Sequence, residues 1–271
     1  MRRFTFARFC KYAFLILVSI LSAFPLYWMI VSATNTTPDV VIGKLTFGGA
    51  LVENFQRLIE NYAMGTAFFN SLRNTVITTV LALFVSSLAG YGFIVFRDKG
   101  KNAVMSVLLL SMMVPMAATL IPLYRLFSQL KLVNTLIGFM LPSIATAFLI
   151  FMFRQATQTF PMEIVQAARI DGLGELGIFT SIYIPIMKPT YAAAATVTFM
   201  NTWNAYLWPL VILQNTKEIT MPILNANMTN VYVVDYSMIM LSVTIATLPT
   251  LIVFFVLQKS FVEGILGSIK T

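Results

Sequence analysis

The sequence predicts an all-α, polytopic membrane protein with six transmembrane helices, and three observations predict it. Of the 271 residues 58% are hydrophobic and only 10% charged, against about 25% charged in a soluble domain. A chain this apolar has too little polar surface to cover itself in water, so a bilayer is its solvent. Six stretches reach the roughly 20 apolar residues that a spanning helix needs, at 12–34, 74–96, 102–124, 132–153, 189–215 and 236–258. All ten Asp and Glu residues fall outside these stretches.

The first stretch follows a basic segment, MRRFTFARFCK, as a secretory leader would. Its apolar run exceeds the roughly 7–15 residues of a leader core and ends without a small-x-small cleavage site, so it reads as a retained helix. The second carries Ser86 and Gly90, four apart, a small-residue face for close helix contact. The tight RDKGK turn (97–101) leads into the third, and the short RLFSQLK loop (125–131) into the fourth. A longer segment, 154–188, precedes the fifth stretch, and a loop at 216–235 the sixth. Pro25, Pro115, Pro122, Pro142, Pro209 and Pro249 lie inside the stretches. Each removes a helical hydrogen bond and invites a kink. Singly they suit ordinary bundle packing; together they suit a bundle that must bend.

Orientation follows from the basic residues. With a cytoplasmic N-terminus, twelve of the 18 Lys and Arg residues lie inside: Arg2, Arg3, Arg8, Lys11, Arg97, Lys99, Lys101, Arg154, Arg169, Lys188, Lys259 and Lys270. Lys44, Arg57, Arg73, Arg125, Lys131 and Lys217 lie outside. Short cytoplasmic loops carry the excess of positive charge, so both termini and the 154–188 segment are expected in the cytoplasm.

The inventory excludes several functions. There is no histidine and Cys10 is the one cysteine, which removes an internal disulfide, zinc sites and Cys/His or Ser/His/Asp catalysis. No catalytic, cofactor-binding or metal-ligating residue is expected. The formal charge of +8 is scattered over loops, unlike the clustered face of a nucleic-acid binder. The absence of carboxylates inside the spans argues against a proton relay.

Within 154–188 sits GLGELG, Gly172 to Gly177, a literal G-x-G-x-x-G. The dinucleotide fingerprint needs a strand before it and an acidic residue about 20 positions on. Here the preceding residues, Met162 to Ile170, read as a helix opened by Pro161 and Glu163 and closed by Gly172 at its C′ position. Downstream lies the apolar AAAATVTF. The nucleotide reading fails on context, and no phosphate-binding loop occurs elsewhere. The segment reads instead as two short amphipathic helices joined by a glycine-rich bend. Ile164, Val165 and Ala168 share one side of the first, with Ala167 beside them; Leu176, Phe179 and Ile182 share one side of the second. Such a segment is either a docking surface or a loop folded on its own membrane domain.

The combined pattern resembles the permeases of bacterial binding-protein-dependent ABC importers, whose cytoplasmic loop reads E-A-A-x3-G-x9-I-x-L-P. Here Gln166-Ala167-Ala168, Gly172, Ile182, Ile184 and Pro185 keep that spacing, with Gln166 in place of glutamate and Ile184 in place of leucine. FPLYWMIVSA, PMEIVQAARIDG, WNAYLWPL and QKSFVEGILGSIK extend the likeness along most of the chain, toward the carbohydrate-importing branch and its maltose-type second permease subunit.

The resemblance implies a type I permease fold over residues 1–271. The 154–188 segment would be a cytoplasmic coupling loop and 259–271 a cytoplasmic tail, loosened by Gly264 and Gly267. It implies a multi-pass protein of the bacterial inner membrane, surrounded by lipid and paired with a homologous second permease. Two ABC ATPases would carry ATP and Mg, and an extracytoplasmic solute-binding protein would deliver a sugar. The coupling residues carried over are Glu163, Gln166, Ala167, Ala168, Asp171, Gly172, Ile182 and Pro185. ATP-driven closure of the ATPases would move the 162–185 loop and open the kinked bundle outward.

In the fifth stretch, FMNTWNAYLWPL places Asn201, Trp203, Asn204, Tyr206 and Trp208 in an otherwise apolar run. Amides hydrogen-bond hydroxyls, and aromatic faces cover the apolar face of a sugar ring. Asn201, Asn204 and Trp208 are spaced to share a helical face that could line a path. Interhelical hydrogen bonding and interfacial anchoring account for the same residues. An ABC permease for glycerol phosphate, polyamine or another polar solute is the alternative, and a stand-alone secondary carrier a weaker one. An anionic cargo would call for basic residues along the path, and the stretches contain none.

Overall fold

The computed structural model describes residues 6–96 and 98–267, with side chains for 8–96 and 98–259. Arg2, Arg3, Arg97 and Lys270 of the charge argument lie outside the described residues. The described chain is helical, without a strand. Three helices are long and apolar enough to cross a membrane unbroken: α1 (Phe6–Ala33), α4 (Met64–Val95) and α15 (Tyr236–Gly267). The short helices α2 (Thr37–Val41) and α3 (Leu51–Asn61) join α1 to α4. Gly264 and Gly267, expected to loosen a tail, are instead part of α15.

The third and fourth predicted spans are broken pairs. α5 (Lys101–Ser111) and α6 (Met116–Gln129) meet at 102°, and α7 (Leu136–Ile144) and α8 (Ala147–Thr157) at 44°. The physical causes are local. Pro115, at φ −66 and ψ 137, lies outside the helical region and opens α6 as its N-cap residue. Pro142 weakens α7 near its end, and Thr146 restarts the chain by accepting a hydrogen bond from the Leu149 N–H at 3.4 Å. The fifth predicted span is likewise not one helix. α12 (Lys188–Trp203) stops at Asn204, and α13 (Leu207–Ile212) starts after a bend. Pro209 accounts for it, because its ring would clash with the Ala205 carbonyl four residues back.

Between α8 and α12 run α9 (Met162–Ile170), α10 (Glu175–Ile178), a π-helical turn (Phe179–Tyr183) and α11 (Ile184–Ile186). A short 3₁₀ turn (Thr216–Glu218) and α14 (Met221–Thr229) follow α13.

The chain divides into two compact units. One comprises residues 1–65 and 224–248, the other 66–223 and 249–271. In the first, α1 exposes Phe14, Ile16, Ile20 and Leu21, as a helix bathed in lipid does. Side-chain bonds, those of Asn54 buried, order the segment after it. Asn54 donates to the carbonyls of Ala33 (3.0 Å) and Asn35 (2.9 Å), and Tyr27 to that of Leu45 (2.6 Å). Asp235 caps the start of α15 through the Met238 N–H at 3.1 Å and accepts from Thr37, Ser237 and Arg57.

In the second unit α4 packs on α8 through the small face read from the sequence. Ser86 is fully buried, and a Cβ at Gly90 would come within 2.5 Å of the Phe153 Cβ and 2.7 Å of the Arg154 nitrogen. Ala82, Leu149, Phe153 and Ala194 close this contact into a core.

Candidate functional site

Two features of the second unit gather the residues singled out in the sequence. The first is the 162–186 segment. α9 ends as its glycine requires: Asp171 is the C-cap and Gly172 follows at φ +84, a conformation that a side chain makes costly. The Leu173 N–H bonds the Ala168 carbonyl (2.9 Å) and the Gly172 N–H that of Arg169 (3.1 Å), the paired bonds of a Schellman ending. The chain then turns back into α10. Across the bend, Arg169 Nε donates to Glu175 at 2.6 Å, and Glu175 accepts from the Tyr91 hydroxyl of α4 at 3.3 Å. The Arg169 hydrogen bond holds the Glu175 carboxyl below its ordinary range.

The segment has two faces. Val165, Ala168, Ile178, Phe179 and Tyr183 are buried in one core with Tyr91, Val95, Phe160 and Met187. Glu163, Gln166, Ala167 and Ile170 point outward, at the i, i+3, i+4, i+7 spacing of a single helical face, with Ile170 86% exposed. The segment folds on its own membrane domain and leaves this outer face exposed. Of the candidate residues, Glu163, Gln166, Ala167, Asp171, Gly172 and Pro185 are exposed and Ile182 is half-buried. Ala168 is buried and belongs to the inner face. The expected shared side of Leu176, Phe179 and Ile182 is corrected. Phe179 is in the core with Ile182 packed against it, while Leu176 is 66% exposed: three residues apart, Leu176 and Phe179 sit about 60° from one another around the helix, and the core edge runs between them.

The second feature is a cavity of about 640 Å³ at the points where three predicted spans break. Ser111 and Met116 reach it from the α5/α6 bend, Ser143 and Thr146 from the α7/α8 bend, and Asn201 and Thr202 from the end of α12. Interrupted helices at membrane depth are tolerated where they line a cavity. The lining combines hydroxyls, the Asn201 amide and apolar side chains, and no Lys, Arg, Asp or Glu. It can hydrogen-bond a neutral polar solute and offers no counter-charge to an ionic one.

The sequence candidates separate here. Asn201 lines the cavity. Trp203 is buried between Phe68 and Phe199, at 5.8 and 5.9 Å between ring centroids. Asn204 donates to the Met200 carbonyl at 2.8 Å, at the C-terminus of α12, and Tyr206 is exposed beside the bend. Trp208 borders the cavity but is 4% exposed, its indole N–H shared between the carbonyls of Gly138 and Phe139 at 3.1 Å each. The shared face of Asn201, Asn204 and Trp208 is therefore corrected, since the break at 204–206 ends the helix that would have aligned them. Ser111, Ser143, Thr146 and Thr202 escaped the sequence reading. The signal available was their position beside the span-breaking prolines and at helix caps.

The profile of the family described as "Binding-protein-dependent transport system inner membrane component" matches residues 94–266. The chain belongs to that family. Its members are transport subunits of a membrane, and the multi-pass, all-helical fold agrees. A lactose transport system permease protein of Rhizobium radiobacter is 47% identical over 260 residues, covering 96% of this chain and 95% of that one. An arabinooligosaccharides transport system permease protein of Bacillus subtilis (strain 168) is 32% identical, covering 99% and 98%. An sn-glycerol-3-phosphate transport system permease protein of Escherichia coli is 30% identical, covering 91% and 92%. In fold, the chain is similar to one from the crystal structure of a bacterial ABC transporter involved in the import of the acidic polysaccharide alginate. The TM-score is 0.84 at 18% identity, covering 96% of this chain and 99% of that one.

Proposed function

We propose that this chain is a permease subunit of an ATP-driven sugar importer and forms half of the translocation path. The observation that carries the reading is the uncharged, hydroxyl- and amide-lined cavity at the three helix breaks. A neutral sugar exchanges its water hydrogen bonds for such groups without desolvating an ion. Relatives named for lactose and arabinooligosaccharides support the same substrate class. The absence of Lys and Arg from the lining weighs against a phosphorylated cargo, although a relative at 30% identity is named for one.

The outer face of α9 supplies the coupling surface. In this reading the whole chain is one permease domain, both termini and the 154–188 loop are cytoplasmic, and the loop grips a separate ABC ATPase. ATP and Mg bind there, and this chain holds no cofactor. A homologous second permease completes the path, and an extracytoplasmic binding protein delivers the sugar. Glu163, Gln166, Ala167 and Ile170 form the contact, Gly172 shapes the turn, and the buried core beneath carries the movement to α4. Gln166 contributes a hydrogen bond where a charge pair would otherwise stand.

The test is reconstitution of the chain with the products of its neighbouring genes. Ala167→Trp on the exposed face should abolish ATPase association and sugar uptake. Asn201→Ala should retain association and lower uptake about fivefold to tenfold, the loss of one hydrogen bond. Wild-type association and uptake in Ala167→Trp would overturn the coupling role. Unaltered uptake in Asn201→Ala would remove that amide from the path.

A further inference from the structure

A second concave region lies away from the cavity, at the turn between α4 and α5. A niche of about 400 Å³ is lined by Asp98, Lys99, Lys101, Asn102 and Arg154, with Phe93 at its side. Three basic side chains face one carboxylate. Lys101 bridges to Asp98 at 3.6 Å and donates to the carbonyls of Gly92 in α4 (2.6 Å) and of Phe96 just beyond it. That leaves Lys99 and Arg154 in excess. Arg154 donates to Asn102 Oδ1 at 2.8 Å and lies over the Phe93 ring, while its Nε is enclosed and has no hydrogen-bond partner. The N-terminus of α5 opens beside the niche without a side-chain cap, adding the positive end of a helix dipole.

The niche continues into an apolar groove of about 470 Å³ along Ala89, Gly92 and Val104, the two sharing Phe93, Phe96, Asp98 and Lys101. Gly92 leaves the groove floor open, since nothing lies within 4 Å of where its Cβ would be. Because the turn joins two spans, it sits at the membrane–water boundary whichever side it faces.

We infer that the α4–α5 turn is a binding site for an anionic phospholipid, the phosphodiester held by Lys99 and Arg154 and an acyl chain laid along the groove. A soluble anion would use the basic niche but leave the apolar groove empty, and a zwitterionic lipid would gain nothing from the excess charge. Juxtamembrane basic residues attract anionic headgroups in this way. The inference needs the membrane fold alone, not the cargo or the direction of transport, so it can fail independently of the transport reading.

The test uses the full chain purified in a mild detergent and read by native mass spectrometry. Short-chain phosphatidylglycerol is titrated in, with phosphatidylcholine of the same chain length and inorganic phosphate as parallel arms. Phosphatidylglycerol adducts should persist where the other two give none. Lys99→Glu, on an exposed side chain, should weaken them at least about fivefold, and Lys99→Ala with Arg154→Gln by a similar factor for each charge lost. If the double variant fails to fold, Lys99→Glu carries the test. Equal retention of phosphatidylcholine, equal binding of inorganic phosphate, or unchanged affinity in Lys99→Glu would each overturn the inference. So would loss of ATPase association in Lys99→Glu with lipid binding intact, which would assign the niche to a protein partner.

Discussion

Trp208 donates its indole N–H to the Gly138 carbonyl, the acceptor that Pro142, having no N–H, leaves without its partner four residues on. One bent element thus satisfies the backbone group that another bend exposes. The same indole reaches the Phe139 carbonyl, and the ring stands edge-on to Phe127 at 5.1 Å. These bonds tie α13 to α7 at the border of the cavity.

Trp208→Phe keeps the aromatic packing and removes the N–H. It should cost about 1–3 kcal/mol, the penalty for buried acceptors left unpaired, seen as a lower melting temperature in detergent. A substrate contact alone would instead lower uptake and leave the melting temperature unchanged.

Two glycines two residues apart, on opposite sides of α4, should behave oppositely. Gly90→Ala drives a Cβ into Phe153 and Arg154 and should destabilise the α4–α8 contact by about 1–3 kcal/mol. Gly92→Ala meets nothing within 4 Å and should be neutral or stabilising by about 0.4–1 kcal/mol. Thermal unfolding of the pair, side by side, checks the packing.

Gly172→Ala places a Cβ on a residue at φ +84, at a cost of about 1–2 kcal/mol. ATPase co-purification and uptake should both fall. Gly172→Asn should recover part of the loss, because asparagine tolerates this conformation. Equal behaviour of the two variants would refute a conformational role.

Asp235 gives a pH dependence with a defined sign. Burial pushes its pKa up, but hydrogen bonds from Ser237, Thr37 and the Met238 N–H, with the nearby Arg57 charge, outweigh it, and the net direction is down. A depressed carboxylate adds stability that is complete above its unfolded value of about 3.9 and is lost as pH falls through the lower folded value. Acid melting curves should show this loss, and Asp235→Asn should remove it while lowering stability at neutral pH.

Much of the second feature was hidden in sequence. The prolines marked where spans could bend, yet nothing local says that three bends from different spans meet at one cavity. Ser111, Ser143 and Thr202 are unremarkable residues until that convergence brings them together. The fifth stretch was misaligned for the converse reason: its periodicity assumed a continuous helix, and Pro209 with the Asn204 end point broke it.

The sequence by itself determined the solvent, the helical class, the three unbroken spans, the glycine-closed helix of the 162–185 loop and the family. Those properties depend on composition, on runs about as long as a bilayer is thick and on short fixed spacings, all of which are local along the chain. Only the tertiary structure decided which face of that loop is free. It also showed that Ala168 and Phe179 point inward, that Trp208 braces a neighbouring helix, and that Asn201 reaches the cavity. Each of these depends on contacts between residues tens of positions apart, where packing and the pairing of buried polar groups outweigh local pattern.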